Sequence, residues 1–330
     1  MKVLIISSYE DPHAHAVIHA LKSQNISVEL LDLSEYPTKL ALTMAFENGS
    51  RRLVLGRFGG GKLDLDTITA VWWRRPQPFR LPDKTKDPVH RRFATSEAGT
   101  AFSGLYRAID VLWVNDPVRD EAAHHKPWQL DLAQKIGLAI PETLMTSDPE
   151  EALDFYRRYD GNVIYKQFRA LPDAWRETRR MREEELAFAD NIRITPVIFQ
   201  RFVDAVADLR VTVIGDEIYA AAADPRGGEY PVDFRFNINL KWQPHQLPSE
   251  VEDQLHQLMR RLGLEYGAID LRLTPEGQYV FLEINPAGQF LWIELETGQR
   301  ISEALGRHLA SAKHTVSVAE DRSASLSVAT

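Results

Sequence analysis

A predicted β-hairpin at residues 268–285 restricts the possible folds more than any other segment. Alternate residues of a strand share one face, and in both arms of this hairpin one face is apolar. The apolar residues are Ile269, Leu271 and Leu273 in the first arm, and Val280, Leu282 and Ile284 in the second. This pattern predicts a hairpin that packs one face on a core and leaves the other face polar.

The polar face of this hairpin carries Asp270, Arg272, Glu283 and Asn285. A four-residue loop at 275–278 would set Asp270 opposite Glu283, although registers shifted by two residues keep the same faces. Carboxylate and amide oxygens suit Mg²⁺, and an arginine suits a phosphate or carboxylate. The alternative is an amphipathic hairpin with a solvated ion pair. The glycine-containing turn that follows, 286–289, favours a site.

The composition excludes several classes of protein. The chain has 330 residues and no cysteine, which rules out disulfides, thiolate metal sites and a cysteine nucleophile. The net charge of -8 disfavours a nucleic-acid partner, which usually needs a basic surface. We find no secretory signal and no apolar run long enough for a bilayer. We therefore expect a cytoplasmic protein without a membrane or nucleic-acid partner.

The element patterns divide the chain near residue 116 and leave a tail at its end. A strand at 2–6, a helix at about 13–23 and a strand at 26–33 form a β-α-β opening, which predicts an α/β layer. A new unit begins near residue 116, where strands, hairpins and helices follow one another. The tail at 311–330 is rich in serine and small residues and lacks periodicity, so we expect it to be disordered.

Two lysines lie where a phosphate would bind. Lys166 lies in Val-Ile-Tyr-Lys at 163–166, a mostly apolar part of a strand predicted at 162–168, where a phosphate would offset the cost of a buried charge. An edge-strand lysine that reaches solvent is the alternative. Lys126 precedes a helix start, whose backbone N–H groups favour anions. On position alone, a surface lysine is the better interpretation of Lys126.

The arginine-rich segment, residues 169–193, holds six arginines, six acidic residues and no lysine. We predict a charged helix at 174–189, on which Arg179 meets Glu183 across one turn. A solvated, ion-paired helix is the first interpretation. A docking surface for a peptide, with contacts from Arg179 and Arg180, is the second.

Other polar residues have two interpretations each. Arg74 and Arg75 follow a strand and could bind substrate carboxylates or form ion pairs at the rim. Glu294 could act as a base, orient the substrate or favour a helix start through the dipole. Three histidines of the first helix, His13 among them, lack an accompanying carboxylate pattern, so we do not predict a metal site there.

In their order along the chain, these features resemble the ATP-grasp superfamily. The order runs from Lys126 and Lys166 through Phe-Gln-Arg-Phe-Val at 199–203 and Asp-Leu-Arg at 208–210 to Asp270 and Glu-Ile-Asn at 283–285. Three stretches look like the microviridin-type graspetide synthetases, which are peptide macrocyclases. They are Val-Trp-Trp-Arg-Arg-Pro at 71–76, Asp-Phe-Arg at 233–235 and the segment 285–294.

The resemblance implies the ATP-grasp fold, with ATP between two α+β subdomains and a Rossmann-like pre-ATP-grasp domain before them. It places the N-terminal pre-ATP-grasp α/β domain at 1–115, the central subdomain at 116–203 and the C-terminal subdomain with the Mg²⁺ site at 204–310, ahead of the tail at 311–330. The implied ATP-binding residues are Lys126, Lys166, Gln200, Arg201, Phe202, Val203 and Asp208. The implied Mg²⁺ ligands are Asp270, Glu283 and Asn285. The implied residues facing phosphate or acyl phosphate are Arg210, Arg235 and Arg272, and we add Glu294 as a catalytic candidate. Our candidate substrate contacts are Arg74, Arg75, Arg179, Arg180 and Gln289.

The implied activity is that of an ATP-dependent carboxylate ligase. An Asp or Glu side chain of a ribosomal precursor peptide would become an acyl phosphate. A Ser, Thr or Lys side chain of the same peptide would then displace the phosphate, giving an ester or amide crosslink and ADP. A leader segment of that peptide would dock on the enzyme, and we place it near residues 169–193. A homodimer is implied by the family alone.

Two departures and two rival functions accompany this interpretation. Residues 167–195 contain no glycine, so a glycine-rich phosphate loop is absent, as it is in the macrocyclase subfamily. Arg201 stands where a hinge glutamate is common, so adenine recognition would depend on backbone groups. A RimK-like ligase that adds a free amino acid shares every ATP-site residue. A non-catalytic ATP-binding regulator is disfavoured by the intact metal ligands. The sequence does not decide whether the product is an ester or an amide. It also leaves open the ring pattern and the identity of the precursor peptide.

Overall fold

The first part of the chain forms a parallel sheet flanked by helices. The computed structural model describes residues 1–169, 177–227 and 240–312. The parallel sheet has the order β2-β1-β6-β7, and β3-β4-β5 form an antiparallel meander. The elements are β1 (Lys2–Ile6), α1 (Pro12–Ser23), β2 (Ser27–Leu31), β3 (Leu40–Glu47), β4 (Ser50–Arg57), β5 (Lys62–Asp64), β6 (Ala70–Trp73), α2 (Pro88–Ala108) and β7 (Leu112–Val114). The predicted β-α-β opening is confirmed.

The next part carries a small antiparallel sheet of order β10-β9-β11-β8. Its core forms where Ala152 and Phe155 pack on Val163 and Phe199. The elements are α3 (Pro117–Ala123), α4 (Lys126–Lys135), β8 (Thr143–Thr146), α5 (Pro149–Arg158), β9 (Val163–Lys166), β10 (Arg179–Arg180), a 3₁₀ helix (Glu183–Ile194) and β11 (Val197–Arg201).

The last part carries a five-stranded antiparallel sheet of order β14-β13-β12-β15-β16. Helices α4 and α6 cover one face of this sheet. The elements are β12 (Ala207–Ile214), β13 (Glu217–Ala223), β14 (Gln243–His245), α6 (Ser249–Leu262), β15 (Tyr266–Leu273), β16 (Tyr279–Asn285), α7 (Leu291–Thr297) and α8 (Ile301–Ala310). An α/β unit followed by α+β units is the predicted fold class, which is confirmed.

Four helices begin at Asp-Pro dipeptides. In each, the aspartate side chain accepts a hydrogen bond from a backbone N–H of the first turn, and the proline opens the helix. A capping carboxylate satisfies an N–H group that the helix leaves open, and proline has no N–H to lose at this position. The dipeptides are Asp11-Pro12, Asp87-Pro88, Asp116-Pro117 and Asp148-Pro149.

The N-terminal sheet and the end of the chain share one core. Val17 and Leu21 of α1 pack with Leu305 and Leu309 of α8, and Phe290 joins them; none of these side chains is exposed. Residues 286–290, which follow β16, are therefore held between the first and last parts of the chain. This placement matters because the loop directly follows the predicted metal ligands.

The β15–β16 hairpin contains a bulge that the sequence did not predict. Asp270 faces Glu283 as predicted, but the register shifts at the next residue, so Leu271 faces Phe281. Leu282 is the extra residue, and a bulge of this kind turns the side chains that follow to the other face. Phe281 therefore packs in the core, whereas Leu282 lines a cavity. The predicted core position of Leu282 is wrong.

The turn of this hairpin also differs from its prediction. Because of the bulge, Leu273 rather than Thr274 faces Tyr279. The Thr274 N–H donates to the carbonyl of Gln278 at 2.9 Å, which closes the turn outside the regular ladder.

The predicted charged helix at 174–189 is wrong at Arg179 and Arg180, and its described part is helical only from Glu183, as a 3₁₀ helix. Arg179 and Arg180 instead form β10, which pairs with Tyr165 and Ile164 of β9. Strand pairing gives this backbone its hydrogen bonds and overrides the helical propensity. Within the described residues, no helix is long and apolar enough to cross a membrane.

Candidate active site

Two crossed ion pairs occupy the polar face where β12 meets β15. Arg210 is the register partner of Asp270, and Asp208 is the register partner of Arg272. The Arg210 Nη1–Asp270 Oδ1 distance is 2.7 Å, and the Arg272 Nε–Asp208 Oδ1 distance is 2.8 Å. All four side chains are buried, so each charge depends on its partner. Removing one member of such a pair costs about 3–5 kcal/mol.

Arg210 links the strand to the loop after β16. Its second terminal nitrogen, Nη2, donates to the carbonyl of Gln289 at 2.9 Å. Burial disfavours the charged guanidinium, but the attraction of Asp270 raises the pKa of Arg210 above its ordinary value. Arg210 therefore holds a predicted metal ligand and a predicted substrate contact in fixed positions.

The second carboxylate, Glu283, lies beside Lys126 and Asn285. Lys126 opens α4, and its Nζ forms an ion pair with Glu283 Oε2. The Asn285 Nδ2 donates to Glu283 Oε1 at 3.3 Å. The fold thus brings Lys126 to the predicted metal ligands from 157 residues away in sequence.

The donor set fits Mg²⁺. Asp270, Glu283 and Asn285 present two carboxylates and an amide oxygen to one cavity. The described residues contain no group of three His, Asp or Glu side chains placed to hold a metal. A metal here would therefore take further ligands from water or phosphate, as Mg²⁺ commonly does.

A small cavity next to this face collects the predicted nucleotide residues. Asp270 and Glu283 form part of its wall, and six of the seven predicted ATP contacts line it. Lys126, the seventh, reaches the same wall through Glu283. The six residues are Lys166, Gln200, Arg201, Phe202, Val203 and Asp208.

The hinge that follows β11 is held by hydrogen bonds. The Phe202 N–H donates to the carbonyl of Asn162 at 2.9 Å, and Arg272 Nη1 donates to the carbonyl of Val203 at 2.8 Å. Since these groups are engaged within the protein, an adenine edge would use other backbone groups of the hinge. The Arg201 guanidinium lies near Glu142, at 3.4 Å.

The Phe202 ring lies between two guanidiniums. The Cζ of Arg180 is 4.0 Å from the ring centroid, and the Cζ of Arg272 is 5.0 Å from it. Cation–π contacts of this kind are attractive, so they help to hold the Phe202 ring in place. Arg180, which the sequence assigns to peptide docking, thus contacts the nucleotide hinge.

A larger cavity lies on the other side of Asp270 and Glu283. Its volume is about 1680 Å³, and its lining includes Arg74, Arg75 and Gln289. Small-molecule sites usually have about 300–1,000 Å³, so this cavity is large enough for a peptide segment. The two carboxylates therefore lie between the small cavity, which holds the predicted ATP-binding residues, and a peptide-sized cavity.

Arg74 fastens the loop after β16 to the N-terminal domain. Its Nε donates to Asp11 Oδ2 at 3.2 Å, and its Nη1 donates to the carbonyl of Gly288 at 2.9 Å. Burial opposes ionisation of Asp11, but the hydrogen bond from His13 and the charge of Arg74 hold its pKa well below its ordinary value. Arg74 is thus an internal anchor as well as a cavity residue.

Three residues of this region were missed by sequence reasoning. His13 Nε2 accepts a hydrogen bond from the Phe290 N–H at 3.3 Å, and burial lowers the pKa of His13. Asn115 Nδ2 donates to the carbonyl of Pro286 at 3.0 Å. Asp120 lines the large cavity. The Asp-Pro dipeptides flag the helix starts near these residues, but no local signal connects them to a loop in the last part of the chain.

Some predicted site residues lie elsewhere. Both carboxylate oxygens of Glu294 accept hydrogen bonds at 2.6 Å from Ser302, in the first turn of α8, so the alternative of a helix-start acid describes it better than a catalytic role. Arg179 Nη2 pairs with Glu185 Oε1 at 3.1 Å, not with Glu183. Arg235 lies outside the described residues.

A family model and a solved structure that resemble this chain agree on its family. A model of the MvdD pre-ATP grasp domain matches residues 2–121. The macrocyclase MdnC from Microcystis aeruginosa MRC, solved with its precursor peptide MdnA, is 30% identical, with 94% of this chain and 99% of that chain covered and a TM-score of 0.84.

Two further relatives are described as ligases. A Chryseobacterium gregarium RiPP-associated ATP-grasp ligase, solved with ADP and a leader and core peptide, is 29% identical, with 94% of this chain and 96% of that chain covered and a TM-score of 0.86. A probable alpha-L-glutamate ligase of Histophilus somni is 23% identical over 214 residues, which cover 62% of this chain and 70% of that protein. This chain belongs to the ATP-grasp ligase family that includes the macrocyclase MdnC.

Proposed function

We propose that this protein crosslinks a ribosomal precursor peptide by activating its Asp or Glu side chains as acyl phosphates. The single observation that carries the proposal is the wall formed by Asp270 and Glu283, which faces a small cavity on one side and a peptide-sized cavity on the other. A carboxylate of a bound peptide can meet a nucleotide phosphate only at such a shared wall. The solved relatives that contain precursor or leader peptides support the same substrate class.

The roles of the residues follow from their contacts. Bound Mg²⁺, held by Asp270, Glu283 and Asn285, would neutralise phosphate charge that otherwise repels the attacking carboxylate. Lys126 and Lys166 add positive charge at the same wall. The catalytic gain in phosphoryl transfer is mostly positioning and charge, and these groups would supply both.

The reaction then has two balanced steps. A peptide carboxylate oxygen attacks the γ-phosphorus of ATP, and the bond between that phosphorus and the bridging oxygen of ADP breaks. A Ser or Thr hydroxyl, or a Lys amine, attacks the acyl carbon, and inorganic phosphate leaves with the carboxylate oxygen. The products are an ester or amide, ADP and phosphate.

The rival ligase reaction, addition of a free amino acid, uses the same ATP site. The large cavity favours a peptide as the substrate, since a free amino acid would fill little of its volume of about 1680 Å³.

The test is the mass of a candidate precursor peptide, encoded by a short reading frame beside this gene, after incubation with the protein, ATP and Mg²⁺. We expect loss of one water mass for each bond formed. Glu283→Gln should abolish the loss, and Glu276→Gln is the matched control because Glu276 is exposed on the turn of the same hairpin. A gain of one amino-acid mass would move the protein to the amino-acid ligases. An unchanged peptide without ADP release would support a non-catalytic nucleotide-binding protein.

A further inference from the structure

Asp120 is a buried carboxyl group on the wall of the large cavity. It lies on α3, and 6% of the residue is exposed. Among the described residues, its Oδ2 has no hydrogen-bond partner. A buried carboxylate oxygen without a partner is costly, so a site that keeps one has a use for an open acceptor. The same cavity contains Asp270, Glu283 and Asn285.

The neighbours of Asp120 tie it to the loop beside the metal ligands. Asn115, whose side chain lowers the pKa of Asp120, donates to the carbonyl of Pro286, the residue after Asn285. Arg74, whose charge acts on Asp120, donates to the carbonyl of Gly288 in the same loop. Asp120 is therefore placed on the side of the cavity where the activated carboxylate would lie.

The charged groups around Asp120 come from three elements. On its own helix and the turn after it are Glu121 and His124, whose Nδ1 is 3.8 Å from Asp120 Oδ1. Arg74 follows β6, and Arg169 follows β9. Burial raises the pKa of Asp120 to about 7 and Glu121 adds to the rise, although the two arginines and Asn115 act in the opposite direction.

We propose that Asp120 is the general base that takes the proton from the peptide nucleophile in the second step of the reaction. This inference rests on the proposed function, since it needs an acyl phosphate as its partner. For a hydroxyl nucleophile, the O–H bond breaks and its proton passes to Asp120 Oδ2. The hydroxyl oxygen forms the ester bond with the acyl carbon, and the bond from that carbon to the phosphate oxygen breaks. The departing phosphate or solvent then removes the proton from Asp120.

The chemistry of the second step calls for such a group. A Ser or Thr hydroxyl is a weak nucleophile without a base, and a positioned base of matched basicity contributes about 10²–10⁴-fold. Arg210 cannot accept a proton, and the carboxylates of the metal-binding face are required as ligands. Asp120 supplies an acceptor on the peptide side of the same wall.

The experiment separates the two steps with the Asp120→Asn variant. Crosslinking is measured with the candidate precursor peptide, ATP and Mg²⁺. Acyl phosphate formation is measured as peptide hydroxamate, with hydroxylamine present and with a peptide whose Ser, Thr and Lys residues are replaced by Ala. Hydroxylamine is nucleophilic without a base, so it reports the first step alone. A matched control is Glu121→Gln, because Glu121 is exposed and paired with Arg169 at 2.9 Å.

We expect Asp120→Asn to lower the crosslinking rate by about 10²-fold or more and to keep hydroxamate formation. The wild-type crosslinking rate should rise with pH up to about 7, because the ionised carboxylate is the active form. The rise of the rate with pH should vanish in Asp120→Asn. It should persist in Glu121→Gln at somewhat lower pH, because Glu121 adds to the raised pKa of Asp120.

Each other outcome overturns the inference. A variant that crosslinks at the wild-type rate with the same rise with pH has no need of Asp120 as a base. Loss of hydroxamate together with crosslinks would place Asp120 in activation or folding instead. If the wild-type protein forms neither product, the proposed function itself fails, and the role of Asp120 fails with it. If the wild-type protein forms crosslinks and Asp120→Asn forms them equally well, the role of Asp120 fails and the proposed function stands.

Discussion

Gly288 lies where the loop after β16 approaches β15, and these two strands carry the proposed metal ligands. A Cβ atom at Gly288 would lie 2.3 Å from Ala268 Cβ, 2.9 Å from Arg210 Nη2 and 3.2 Å from the carbonyl oxygen of Asn285. Gly288 is not among the glycines with a positive φ, so an alanine there would suffer from lack of space and not from backbone strain.

The size of the effect follows from these distances. Carbon atoms in contact lie about 3.5–4.0 Å apart, so the loop would have to retreat by roughly 1.2–1.7 Å. Overpacking and weakened hydrogen bonds from Arg74 and Tyr266 to the Gly288 carbonyl would together cost about 2–4 kcal/mol of unfolding free energy. A shift of about 1 Å at Asn285 would lower the crosslinking rate by about 10²-fold.

Urea unfolding and peptide crosslinking measure the two effects of Gly288→Ala. The matched control is Gly104→Ala, since Gly104 lies in α2 with no heavy atom within 4 Å of its added Cβ. It should raise the unfolding free energy by about 0.5–1 kcal/mol. If Gly288→Ala unfolds with the wild-type free energy and crosslinks at the wild-type rate, the close approach described here is wrong.

Three more predictions concern buried charges and the hinge. Arg210→Met should lower the unfolding free energy by about 3–5 kcal/mol, because Asp270 loses its buried partner; urea unfolding of a double variant with Asp270→Asn should recover part of that loss. Phe202→Ala should weaken ADP binding in calorimetry and cost about 3–5 kcal/mol of stability, since the ring is buried. The pKa of Asp120 is raised to about 7 on folding from an ordinary 3.8, so stability should fall as pH rises from about 4 to 7. Asp120→Asn lacks this loss and should be more stable than the wild type at pH 8, by at most about 4 kcal/mol; equal melting temperatures at pH 8 would contradict it.

The sequence was sufficient where local chemistry decides the structure. The β-α-β opening and the helix start at Lys126 follow from periodicity and proline, and the Asp270–Glu283 pair follows from alternation along two arms of one hairpin. Each of these depends on residues close together in the chain. In these segments the tertiary contacts agree with the local preference of the chain.

The sequence was insufficient where a distant partner decides. The bulge at Leu282 depends on how β16 packs, and an alternating pattern cannot reveal one extra residue. The 179–180 segment joins a strand edge, so its helical spacing misled the prediction. The contact of Arg74 with Gly288 spans most of the chain, and the burial of Asp120 depends on the packing of residues far from it in sequence. Sequence patterns show which face of a strand or helix carries the charged residues. Only the fold determines which of these faces contact each other.

The measurement that tests the central claim most directly follows oxygen from the peptide to phosphate. The candidate precursor peptide is prepared with ¹⁸O in its Asp and Glu carboxylates and incubated with the protein, ATP and Mg²⁺. Activation as an acyl phosphate predicts one ¹⁸O atom in inorganic phosphate for each crosslink formed. Phosphate without ¹⁸O, released alongside crosslinked peptide, would contradict carboxylate activation by this protein.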